Sequence, residues 1–200
     1  MYEMMIDLET LDTRPSAVVL SIGAVVFNTE MSHPMSGAEG ELKAVIVDRF
    51  MRVLDIQEQI YRQRTVSQDT LLWWQNQSIA AKAEAFNSVR HPVIQVLNEF
   101  QDFAGSNWAP DGKHINAFWA SPVAFDLPIW EDLARTFNKD VPWKYNQRYD
   151  VRTVVREAGL SVKDHEYTSP GIPHTPVYDC EWQIDLLTAA RNKAGRRMAP

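Results

Sequence analysis

The chain has 200 residues, enough for one domain with a sizeable core. Apolar residues at 45% and charged residues at 23% exclude a disordered or fibrous chain. With 20 Lys and Arg against 26 Asp and Glu, a net charge of -6, bulk attraction to nucleic acid is also excluded, so such a partner must be held locally or through metal ions.

Met4 to Glu9 reads as a short strand, with Met4, Ile6 and Leu8 on one face and Met5, Asp7 and Glu9 on the other. A turn-rich piece from Thr10 to Ser16 follows it. Ala17 to Phe27 is β-branched and almost continuously apolar, which predicts a central strand covered on both faces. Its apolar run is broken by Ser21 and Gly23 and falls far short of the ~20 residues of a membrane span. Thr29 to Gly40 reads as a loop, and Lys43 to Leu54 as a third strand.

From Ser67 helical patterns take over, through Leu71, Leu72 and Trp74 and then through an Ala-rich run from Ile79 to Phe86. Pro92 suits a first helical residue, before Val93, Val96, Leu97, Phe100 and Phe103 at helical spacing, and Gly105 stops the pattern. His114 to Ala120 reads as a fourth strand, leading through Ser121 and Pro122 into a helix from Phe125 to Phe137. Asp150 to Ala158 is a short helix ended by Gly159, and Ser161 to Thr175 is a loop. Thr175 and Pro176 open the last helix, whose stripe is Val177, Cys180, Ile184 and Leu187. Alternating strands and helices without a repeat or long linker predict one α/β domain. The lone Cys180 excludes an intramolecular disulfide and a multi-cysteine zinc site, and Glu3 stands where a signal peptide carries Lys or Arg. The cytoplasm is the expected location.

Three groups of residues carry chemistry. Asp7 and Glu9, two apart on a strand, project from one face beside an apolar strand, an arrangement relieved by protonation or by a hard divalent cation. An edge strand with its acids in water would show the same pattern. Asp126 follows the fourth strand where α/β sheets place ligands, although an acid in a helix's first turn also complements the macrodipole. His174 and Asp179 straddle a loop-to-helix junction from which both can address one point.

In this fixed order, Asp7-Leu8-Glu9-Thr10, Phe125-Asp126 and His174 followed five residues later by Asp179 resemble the three exonuclease motifs of the DEDD superfamily. The histidine places the resemblance in its DEDDh, or DnaQ-like, branch. Met5 to Phe27, Thr70 to Ser78, Trp119 to Asp126 and Arg148 to Thr153 extend it to phage and prophage 3′→5′ exonucleases, relatives of the T-even phage exonuclease and the ribonuclease AS group. The resemblance implies a single exonuclease domain over residues 1–200, with a basic tail at 191–200, and a ribonuclease H-like fold: a five-stranded mixed sheet flanked by helices. It implies two divalent cations, Mg or Mn, one among Asp7, Glu9 and Asp179 and the other shared by Asp7 and Asp126. His174 would act as general base on the attacking water, a role that suits imidazole because it titrates near neutrality. If His174 were not the base, His165 in the same loop is the alternative.

Thr10 and Leu11 match family positions that hold the terminal sugar and wedge the last base, and Phe125 adds a stacking face. The implied partners are 3′ ends of single-stranded DNA or RNA, with no membrane. The implied reaction releases nucleoside 5′-monophosphates from single-stranded DNA or 3′ overhangs, with an exoribonuclease as the second reading. A non-catalytic binding module would have lost a ligand, and here all five positions are filled. Two departures stand out: Pro176 and Tyr178 replace a small residue and an acid of the family pattern, and Ser121 to Ala124 replaces a Gly/Asn-containing stretch. Trp73 and Trp74 read as core in preference to a stacking surface for a nucleotide, while Asp150 and Arg152 match a family segment and are equally well explained as a structural pair.

Overall fold

The computed structural model describes residues 2–31, 41–106, 114–165 and 171–198. Strand β1 (Tyr2–Thr10) pairs antiparallel with β2 (Val19–Met31), and β2 pairs antiparallel with β3 (Leu42–Val53). On its other side β1 runs parallel to β4 (Ala117–Ala120), which runs parallel to β5 (Arg148–Asp150). The five-stranded mixed sheet therefore has the order β3-β2-β1-β4-β5, the arrangement of a ribonuclease H-like α/β fold.

The apolar run of β2 is buried on both faces, as its composition requires, but the middle strand is β1. Beyond β1 the later crossover strands add β4 and β5, which shifts the centre by one. On β1 the alternation is strict. Met4, Ile6 and Leu8 enter a core with α4 (Val93–Gly105) and α5 (Val123–Thr136), while Met5 enters one with α6 (Val151–Glu157) and α7 (Pro176–Met198). Helices α2 (Gln68–Gln75) and α3 (Ile79–Asn87) close a third cluster around Leu11, Val18, Leu20 and Trp74.

The differences from the sequence reading are local. Pro92 caps α4 rather than opening it, with Val93 as the first helical residue. Residues 114–116 precede β4, which pairs only from Ala117. Thr29 extends β2, and the rest of the expected loop at 32–40 lies outside the described residues, as does 166–170 of the later loop. The six-residue α1 (Ile56–Tyr61) is too short to print a period, although Asp55 caps it by accepting from the Glu58 N–H. Residues 191–198, expected as a tail, continue α7. No helix among the described residues is long and apolar enough to cross a membrane.

Candidate active site

The parallel strands β1, β4 and β5 end along one edge of the sheet, and a cleft of about 580 Å³ opens there. Asp7, Glu9 and Thr10 from β1, Asp126 and Phe125 from α5, and His174 and Asp179 at the start of α7 all line it. A second groove of about 710 Å³, lined mainly by Ile60, Tyr61, Pro92, Ile94 and Phe137, carries no such gathering of acids.

Each acid arrives by a separate local device. Asp7 lies opposite Gly23 of β2, and a Cβ at Gly23 would sit 2.5 Å from the Pro176 carbonyl carbon. Glycine thus lets the first turn of α7 rest on the sheet, which brings Asp179 over Asp7 and Glu9. Asp126 is positioned by the shortness of β4: past Met5 the edge of β1 is uncovered, and the free Leu8 N–H donates to Asp126 Oδ1 at 3.0 Å. His174 takes a left-handed backbone, φ 64°, and its N–H donates to Asp179 Oδ2 at 3.0 Å. A non-glycine residue held in that region marks a turn fixed by its surroundings. A ring nitrogen of His174 and carboxylate oxygens of Glu9 and Asp179 lie within 4.8 Å of one another.

The electrostatics are those of uncompensated charge. Burial, then the facing Asp126, Glu9 and Asp179, hold the Asp7 carboxyl well above the ordinary range, against a smaller opposing effect of the Gln183 hydrogen bond. Burial and the neighbouring Asp179, Asp126 and Glu84 do the same to Glu9. Asp126 is pushed up to about 7, chiefly by burial, although the backbone N–H groups and Arg152 pull it down. Acids gathered this way, with Arg152 the one Lys or Arg beside them among the described residues, fit divalent cations, whose charge restores the balance. Asp7, Glu9, Asp126 and Asp179 are the oxygen donors available to hold them.

Further residues complete the site, among them Gln183, which the sequence does not single out, and Trp73, which it places in the core but which is exposed in the cleft. Gln183 on α7 donates from Nε2 to Asp7 Oδ1 at 2.9 Å, and its own Oε1 is buried without a hydrogen-bond partner. It lies four residues after Asp179, so helical spacing puts both on one face. Trp73 lines the cleft and meets the His174 ring edge-on, with centroids 4.8 Å apart. Its neighbour Trp74 is buried and donates to the Thr10 carbonyl. Thr13, Asp69, Thr70, Ser121, Pro122 and Arg152 also line the cleft.

Three sequence readings move. Leu11 is buried in the third cluster and does not line the cleft, because its chain turns inward to pair its N–H with the Val18 carbonyl. His165 bonds to Asp185 at 3.0 Å, away from the acids. Asp150 caps α6 and also accepts from the Val123 N–H at the start of α5, whereas Arg152 points into the cleft rather than pairing with it.

A sequence profile of the Rv2179c-like 3′-5′ exoribonuclease domain matches residues 2–190. The chain belongs to this family. It is thus a member of a 3′-5′ exonuclease family whose members hydrolyse phosphodiesters of nucleic acid. An exodeoxyribonuclease of Enterobacteria phage T4 is 25% identical over 228 aligned positions, covering 100% of this chain and 94% of the relative. The family description names RNA, and the relative's name DNA.

Proposed function

We propose that this protein is a DEDDh-type, metal-dependent 3′→5′ exonuclease that trims single-stranded DNA or 3′ overhangs to nucleoside 5′-monophosphates. The observation that supports it most is the convergence of Asp7, Glu9, Asp126, His174 and Asp179 in one cleft of the sheet edge. Asp7, Glu9, Asp126 and Asp179 would hold two divalent cations, Mg or Mn, which when bound polarise the scissile phosphate and stabilise the leaving 3′-oxygen.

The protein's own groups do the rest. His174 removes a proton from the attacking water, and its edge contact with Trp73 together with the Asp179 bond to its backbone limit where the imidazole sits. Gln183 fixes one oxygen of Asp7 and so orients the other. Thr10 holds the terminal sugar, and Phe125 offers a face on which a base stacks. RNA is the second reading, favoured by the description of the matching family.

A time course on 5′-labelled single-stranded DNA and RNA with Mn²⁺, beside EDTA and Asp7→Asn, tests the reading. A metal-dependent ladder shortening from the 3′ end and absent in the variant is expected, with the faster lane naming the sugar. Intact strands that nevertheless bind the protein would replace the exonuclease with a non-catalytic binding module.

A further inference from the structure

The cleft runs along the strand order of the sheet. At one end stands α2 with Asp69, Thr70 and Trp73 against the end of β1; in the middle are the acids; at the far end is the start of α6, just past β5. Of the described residues lining it, five are carboxylic acids, and Arg152 is the only Lys or Arg among them. Arg152 is solvent-exposed, and its guanidinium makes only long contacts, 3.3 Å to the Ser121 carbonyl and 3.5 Å to its hydroxyl. It forms no ion pair with a described carboxylate, in contrast to Arg49, Arg52, Arg64, Arg148 and Arg191. Strands lie ~4.8 Å apart, so β5 is about 10 Å across the sheet from β1.

A guanidinium without an ion pair at the α6 end of an acid-lined cleft, close enough to Asp126 for its charge to act on that carboxylate, suits a phosphate just beyond the one being cut. We propose that Arg152 binds the backbone phosphate next inward from the scissile one, making the cleft selective for a polynucleotide over a lone phosphodiester. The inference rests on the exonuclease reading, with Thr10 at the terminal sugar so that the rest of the strand leaves toward α6. Arg152 thus supplies a local positive contact to the strand in a chain whose net charge is -6.

The test compares a single-stranded DNA octamer with the p-nitrophenyl ester of thymidine 5′-monophosphate, which has one phosphodiester and no second phosphate. Arg152→Ala is expected to raise KM for the octamer about tenfold, the loss of one charge-assisted contact, with kcat within about twofold. Its log–log salt dependence of octamer binding, followed by fluorescence anisotropy in EDTA, is expected to flatten by about 0.7. Hydrolysis of the ester is expected to fall by less than about twofold in kcat/KM. Arg152→Lys, which keeps the charge, is expected to restore the salt slope and part of the KM. Equal losses on both substrates would mean that Arg152 acts at the scissile phosphate or merely holds Ser121, and an unaltered salt slope would mean that it meets no phosphate; either overturns the proposal. Wild-type protein that cuts neither substrate would instead overturn the exonuclease reading, and the anisotropy series would still decide for or against Arg152.

Discussion

Glu3 and Asp7 stand on the same face of β1, four residues and about 13 Å apart, and both lie under α7. Glu3 is buried and fully answered: Arg191 donates to both its oxygens at 2.8 and 2.7 Å, and the Trp119 indole adds a third bond at 2.7 Å. Eight to twelve residues earlier, about 12–18 Å away along the helix, α7 offers Asp7 an acid, Asp179, and an uncharged amide from Gln183. One end of the strand–helix pair is thus closed electrostatically by the chain itself. The other is left open, in the manner of a site whose counter-charge arrives from solution.

The largest expected effect breaks that comparison at both ends. Asp7→Asn should lower hydrolysis by about 10³-fold or more while leaving the thermal midpoint of the metal-free protein equal or higher, because it removes a like charge from the cluster. Glu3→Gln should do the reverse. It leaves Arg191 without its carboxylate and should cost about 2–4 kcal/mol of stability, with kcat essentially retained. Calorimetry and the labelled-strand assay read both variants; strong residual cleavage by Asp7→Asn would remove Asp7 from the chemistry.

Next in size is His174→Ala, expected to slow kcat by about 10²–10³-fold as a lost general base. The gain in thermal midpoint on adding Mn²⁺ should persist in this variant. Its loss would reassign His174 as a metal ligand alongside Glu9 and Asp179, an arrangement that their 4.8 Å grouping also permits.

The open end also predicts a pH dependence. Asp7, Glu9 and Asp126 carry folded pKa values raised above their unfolded ones, so the native state binds protons more tightly than the unfolded chain. Stability is therefore full below the unfolded values, near pH 4, and is lost as pH rises through the folded ones, including about 7 for Asp126. The metal-free protein should melt at a lower temperature at pH 8 than at pH 5. Saturating Mn²⁺ at pH 8, at 100 times its dissociation constant, should return about 2.7 kcal/mol, roughly 5–10 °C for a chain of this size. A metal-free melting temperature that is flat across this range would show that the acids are already compensated.

How the site was legible follows from where its information lies. Asp7 and Glu9 were readable because strand alternation is a strict two-residue period, and His174 and Asp179 because they flank a helix start. The Asp126 position follows from the end of β4, but its hydrogen bond to Leu8 depends on β4 being only four residues long, which the apolar stretch from His114 to Ala120 conceals. Gln183 shares a helix face with Asp179, yet nothing in α7 alone tells which face meets β1. Leu11 shows the opposite failure: its place next to the acids in sequence suggested the cleft, and the backbone pairing with Val18 turned it into the core.

The smallest expected effect on turnover is that of Trp73, one of two adjacent residues that composition cannot distinguish. Trp74 is 2% exposed among Leu11, Val18 and Phe86, while Trp73 is 41% exposed and rests on His174. Trp74→Ala should cost about 3–5 kcal/mol of stability, as expected when a large core side chain leaves a cavity. Trp73→Ala loses one edge-on aromatic contact, about 0.5–1.5 kcal/mol, and should lower kcat by about two- to tenfold with stability little altered. Trp73→Phe, which keeps an aromatic edge, should recover most of that loss. A Trp73→Ala variant that melts early but turns over normally would make this ring part of the fold, and the orientation of His174 would then rest on its left-handed backbone and the Asp179 bond alone.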